Sequence, residues 1–194
     1  MRANVRLLLS LRVLPWRIAR FYWRARRHAL RSGDHFSLAS AARPGELREL
    51  IALARGRRQV AELGTGTAWS AIALACADPR RRIVSYDPSV RAERERYLEL
   101  AGARVRERIE LRAEPDSKGP RAGDQPVQLL FIDSEHERAP VLAAFAAWRD
   151  ALAPGAVVVF HDYRHPDYPG VREAVVELGL EGSERGGLFV WRAP

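Results

Sequence analysis

Three apolar runs that each end on an acid constrain this chain more than any other feature: RIVSYD at 82–87, VQLLFID at 127–133 and AVVVFHD at 156–162. A strand with one wet face alternates apolar and polar residues. Runs this continuous are buried on both sides, as in a parallel sheet covered by helices. The segments between them fit that picture. Pro44 opens a helix carrying Leu47, Leu50, Ile51 and Ala54, which ends before Gly56. QVAEL (59–63) reads as a strand, 67–77 as a small-residue helix, 89–101 as a charged helix stopped by Gly102, and 107–113 as a strand before a Pro/Gly-rich loop at 114–126. A helix at 138–152, one at 171–178 and a strand at 188–191 follow. The pattern is that of a doubly wound α/β domain.

Composition narrows the class. A chain of 194 residues, 47% hydrophobic and 29% charged, is one ordinary globular domain's worth. The single cysteine, Cys76, excludes an internal disulfide framework and any Cys-rich zinc site. It is compatible with a reducing, cytoplasmic setting. Residues 5–14 are apolar but broken by Arg6 and Arg12, and form neither a secretory leader nor a membrane span. Nine arginines and no acid fall in residues 1–33, so the +8 net charge resides there and the remainder carries −1. After Pro15, Arg17, Arg20, Arg24, Arg27 and Arg31 share one helix face, with Ile18, Phe21, Tyr22, Ala25 and Ala29 on the other. Residues 1–40 thus read as a basic amphipathic helical arm. Its apolar side packs on the domain or a sister subunit in a homo-oligomer, or the arm lies peripherally on an anionic membrane surface. A nucleic-acid partner has no RNA-binding motif behind it.

In open α/β sheets, ligands bind beyond the carboxyl ends of the strands. Those ends carry Glu62, Asp87, Asp133 and His161-Asp162. The turn Gly64-Thr65-Gly66 lets a ligand approach backbone N–H groups near a helix start. A nicotinamide-dependent oxidoreductase would want a third glycine where Trp69 stands. The ordered set AELGTGTAWSAIALA (61–75), SYDP (85–88), LLFIDSEH (129–136) and VVVFHDY (157–163) resembles the class I S-adenosylmethionine-dependent methyltransferases. More narrowly, it resembles methyltransferase family 24 and the catechol-type small O-methyltransferases. The resemblance covers about residues 40–194. It implies a mostly parallel, seven-stranded Rossmann-like sheet, with residues 41–194 as the S-adenosylmethionine-binding domain.

The resemblance also implies roles. Glu62, Gly64, Thr65 and Gly66 surround the methionine portion of the cofactor, Ser70 its carboxylate, and Asp87 the ribose hydroxyls; Asp133 adjoins the cofactor. Asp116 or Glu114 lies beside the adenine. Position 68, alanine here, often carries glycine in the family. Methyl transfer to oxygen is an in-line displacement that also requires loss of the hydroxyl proton. The family pattern places metal ligands at Asp133, His161 and Asp162. Magnesium prefers oxygen donors, so the imidazole points toward manganese, iron or zinc, or toward no metal. Asp133 and His136 are the candidate catalytic residues. His136 stands where catechol-type relatives carry a lysine, and histidine suits a general base because its pKa lies near neutral. Tyr163 and His165 are further candidates for touching a small-molecule substrate. A non-catalytic scaffold that uses the arm is the remaining alternative.

Overall fold

A computed structural model describes residues 10–194; the apolar stretch at 5–9 lies outside them. The strands are β1 (Gln59–Leu63), β2 (Arg82–Tyr86), β3 (Ile109–Arg112), β4 (Val127–Ile132), β5 (Leu152–Phe160), β6 (Ser183–Arg185) and β7 (Leu188–Arg192). They form one sheet in the order β3-β2-β1-β4-β5-β7-β6. β1 pairs in parallel with both β2 and β4; β7 pairs antiparallel with both β5 and β6, and so runs against the other strands. The winding direction therefore reverses between β1 and β4. A crevice opens at such a reversal, outside the carboxyl ends of both strands.

The helices are α1 (Trp16–Ser32), α2 (His35–Ser40), α3 (Pro44–Leu53), α4 (Trp69–Ala77), α5 (Glu93–Ala101), α6 (Ala103–Arg106), α7 (Arg138–Trp148) and α8 (Pro169–Glu177). Alternate strand residues feed two cores. Leu129 and Phe131 point to one, with Trp69 and Leu47; Leu130 and Ile132 point to the other, with Val141, Trp148 and Val171. This double burial is why the strand runs lack polar alternation.

Several elements depart from the pattern expected. β5 begins at Leu152 and runs through Pro154-Gly155, which read as a turn; an irregularity between Val127 and Leu129 absorbs the change of register. β6 is wholly exposed, so no apolar period announces it, although Gly186-Gly187 is a hairpin signal. The short helix α2 was also not anticipated. Asp34 caps it by accepting from the Ser37 N–H at 2.9 Å.

α1 has the amphipathic character that its arginine spacing implies. Ile18, Phe21, Tyr22, Ala25 and Ala29 are buried, and Gly33 at φ 71° ends the helix. Phe21, Tyr22 and Tyr97 meet the Trp69 ring edge-on at centroid distances of 6.2, 5.2 and 5.1 Å. Trp69, too large for a dinucleotide-binding turn, thus serves as the anchor on which α1 is seated.

Candidate active site

The ends of three neighbouring strands are tied together by backbone. Gly64 N–H donates to the Tyr86 carbonyl at 2.9 Å, and Asp133 N–H to the Leu63 carbonyl at 2.8 Å. At Gly64 (φ +95°) a Cβ would lie 2.0 Å from the Asp133 carbonyl oxygen, so only glycine permits this approach. The turn then swings Gly66 N–H onto Asp87 Oδ2 at 2.9 Å, while Ser89 N–H donates to Asp87 Oδ1 at 2.8 Å. Arg94, from α5, locks this arrangement from beneath. Its guanidinium donates twice to the Gly66 carbonyl (3.0 and 2.9 Å), to Asp87 Oδ2 (3.1 Å) and to the Ser89 carbonyl (2.9 Å). Ala68 adopts φ 67°, so the alanine at this family glycine position carries backbone strain of about 1–2 kcal/mol.

Glu62 is fully buried behind the turn and does not line the cleft. Ser70 and Ser85 hydroxyls each donate to it at 2.5 Å, and Ser85 pairs with Thr65 Oγ1 at 2.7 Å. Burial outweighs these hydrogen bonds and pushes the Glu62 carboxyl up to about 7. The same turn is wired to the arm's end. Ser37 Oγ lies 2.8 Å from Thr67 Oγ1 and 2.6 Å from Asp34 Oδ2, which also accepts from Tyr97 Oη at 2.5 Å.

The second half of the site lies beyond β4 and β5. His161 Nδ1 stands 3.0 Å from both Asp133 Oδ1 and Asp162 Oδ2, and its Nε2 3.4 Å from Glu46 Oε2. Burial by itself lowers the pKa of His161, but the three carboxylates together push it up to about 12. Burial likewise raises Asp133 despite the imidazole beside it. Burial also works to raise Asp162, but His136 and His161 hold it well below the usual carboxylate range. Asp162 has φ 53°, the left-handed region that a non-glycine residue rarely adopts. Its Oδ2 reaches both imidazoles, lying 3.1 Å from His136 Nε2. Tyr168 stacks between His136 (4.0 Å) and His165 (4.4 Å). The α8 start closes on this loop at Gly170, where a Cβ would sit 2.6 Å from the His136 carbonyl oxygen.

Both halves face one cleft of about 1180 Å³. Gly64, Thr65, Gly66, Ser70, Asp87, Asp133, His136, His161 and Asp162, all singled out in the sequence, line it. Of the two acids considered for the adenine, Asp116 lines the cleft and accepts from Ser134 Oγ, whereas Glu114 pairs with Arg121 outside it. His165 lines it too; Tyr163 instead stacks on Phe189 at 4.7 Å. Among the described residues, the side chains whose ligand atoms all lie within 4.8 Å of one another are Asp133, His136 and Asp162. That group has His136 where the family pattern implies His161. The sequence reading missed Arg94, Glu46 and Phe36. Arg94 had a signal: with Tyr97, Leu98 and Ala101 it falls on the inner face of a helix otherwise charged all round.

A buried cation beneath a glycine turn, an acid at the end of β2 and paired imidazoles and carboxylates beyond β4 and β5 define an α/β enzyme that holds a nucleoside-like cofactor at its switch point. Residues 61–163 match the family model described as a methyltransferase domain, and the chain belongs to that family: it is a class I S-adenosylmethionine-dependent methyltransferase. Among solved structures, it is similar to the O-methyltransferase TomG of Streptomyces achromogenes, with 26% identity, 86% of each chain covered and a TM-score of 0.62. An O-methyltransferase from Bacillus cereus shares the fold at 18% identity over 88% of this chain and 90% of that one, TM-score 0.66. The TDP-rhamnose 3'-O-methyltransferase CalS11 does so at 21% over 75% and 77%, TM-score 0.62. No curated protein matches the chain.

Proposed function

We propose that this protein transfers the methyl group of S-adenosylmethionine to a hydroxyl oxygen of a small molecule, with His136 as general base. The observation that carries the reading is the single cleft joining the Gly64–Gly66 turn and Asp87 to the His136–Asp162 pair. TomG was solved with S-adenosylmethionine and the Bacillus cereus enzyme with its demethylated product, which supports the same cofactor here. When bound, that cofactor supplies an electrophilic methyl on a sulfonium sulfur.

The residues present fit it. Asp87 Oδ1 accepts only from Ser89 N–H among the hydrogen bonds described, leaving acceptor capacity for ribose hydroxyls. Gly66 is open on its Cα side except for the Phe36 ring at 3.6 Å. Ser70 Oγ lines the cleft and screens Glu62 behind it. An ammonium group beside Ser70 would favour ionised Glu62, so its affinity rises with pH up to about 7 as less proton release is required. Residues 41–194 hold the cofactor, while the arm (residues 1–40) completes one wall through Phe36, Ala39 and Ser40.

At the acceptor end, Asp162 holds His136 Nε2 and Tyr168 fixes its ring plane, leaving Nδ1 to take the hydroxyl proton. The cluster of acids and imidazoles beyond β4 and β5 also fits a divalent cation. His161 Nδ1 is buried without a well-directed hydrogen bond although two carboxylate oxygens lie 3.0 Å away. Asp133 and Asp162 would hold the ion, joined by His161 once the ion displaces the proton that the surrounding carboxylates keep on its ring, a donor set suited to manganese or iron rather than magnesium. It would acidify the acceptor hydroxyl.

The test is incubation of the full chain with methyl-labelled S-adenosylmethionine and a panel of sugar and phenol acceptors, with a chelator or with added manganese. Label should appear in an alkali-stable ether, abolished by the chelator and restored by manganese. Transfer to nitrogen or carbon contradicts the reading, and a rate untouched by chelation removes the cation from it.

A further inference from the structure

We propose that the outer face of α1 is a docking surface for an anionic lipid bilayer, a property separate from the chemistry of the cleft. Trp16, Trp23 and Leu30 are 65%, 40% and 58% exposed. They recur every seven residues, so they stand in one line on the helix, about 10 Å apart. At about 100° per residue, Arg17, Arg20, Arg24, Arg27 and Arg31 flank that line on one side and Arg26 on the other. The arginines lie close against the indoles: Arg17 and Arg20 sit 5.6 and 5.7 Å from the Trp16 ring, and Arg27 5.3 Å from that of Trp23. The opposite face of the helix is occupied by its packing on Trp69. The exposed stripe is therefore what remains once the fold is satisfied.

Charge decides the occupant. Residues 1–33 carry no acid, so a second copy of α1, or the chain's own first residues with Arg2 and Arg6, would add charge of the same sign. A partner must bring negative charge and also accept aligned apolar side chains. A phosphate backbone offers only the first. The headgroup layer of an anionic bilayer offers both: tryptophan favours that depth, and each arginine adds electrostatic attraction to the surface. Among the described residues no helix is long and apolar enough to cross a membrane, so the contact is one of lying on the surface.

The experiment is co-sedimentation of the full chain with phosphatidylcholine vesicles and with vesicles containing phosphatidylglycerol, at low and high salt. Wild type should partition onto the anionic vesicles only, release at high salt and blue-shift its tryptophan emission. The Trp16→Ala/Trp23→Ala variant should lose partition by tenfold or more, and Arg20→Gln/Arg27→Gln should lose a similar amount. Both should keep the wild-type melting temperature and affinity for S-adenosylhomocysteine, since none of the four residues belongs to the buried core or lines the cleft. Equal binding to neutral vesicles, undiminished binding by either variant, or capture of duplex RNA in place of vesicles overturns the proposal.

Discussion

Replacing His136 by alanine is expected to lower turnover by ~100-fold or more while leaving affinity for S-adenosylhomocysteine within about twofold of wild type. The asymmetry follows from position. His136 stands beyond β4, on the side of the cleft proposed for the acceptor, held by Asp162 Oδ2 at 3.1 Å and stacked on Tyr168. The groups proposed to hold the cofactor are at the ends of β1 and β2. A base takes a proton only in the transition state, so its loss appears in kcat rather than in cofactor binding. Added imidazole should restore part of the rate to the alanine variant, which a merely structural histidine would not allow. Near-normal turnover, or loss of cofactor affinity in step with turnover, would show that His136 is not the base.

The second large effect is on the fold. Gly64→Ala places a methyl group 2.0 Å from the Asp133 carbonyl oxygen, at a φ of +95° that side chains rarely adopt. Backbone strain there costs ~1–2 kcal/mol, and the overlap adds roughly 1–3 kcal/mol because β1 and β4 must separate. The melting temperature should fall by about 10 °C in a domain of this size, and cofactor binding should be lost with it. Gly66→Ala is the internal contrast. Its Cβ would meet only the Phe36 ring at 3.6 Å, so its thermal penalty should be the smaller one. Equal melting temperatures for wild type and Gly64→Ala would mean that the strand ends are not joined as described.

Most of the rim at the ends of β1 and β2 was legible in the sequence because its logic is local. Strand ends follow from apolar runs, the glycine turn follows β1 directly, and an acid just beyond a buried strand must face the rim. The arm's buried face was legible for the same reason, since helical spacing alone separates Ile18, Phe21 and Tyr22 from the arginines. What escaped was long-range. Arg94 is separated from Gly66 by 28 residues and Glu46 from His161 by 115, and nothing in either local segment announces the partner. Asp162 bridging two imidazoles depends on a left-handed backbone that an aspartate does not advertise. β6 was missed because a strand exposed on every residue has no burial pattern to read.

A crystal structure of the full chain with S-adenosylhomocysteine puts the account to its hardest trial. The ribose hydroxyls should lie within hydrogen-bond distance of the Asp87 carboxylate, the amino-acid end beside Ser70 and the Gly64–Gly66 backbone, and the sulfur should face His136 across the cleft. A ligand found anywhere else, or a crevice between β1 and β4 filled by the chain's own side chains, would contradict it.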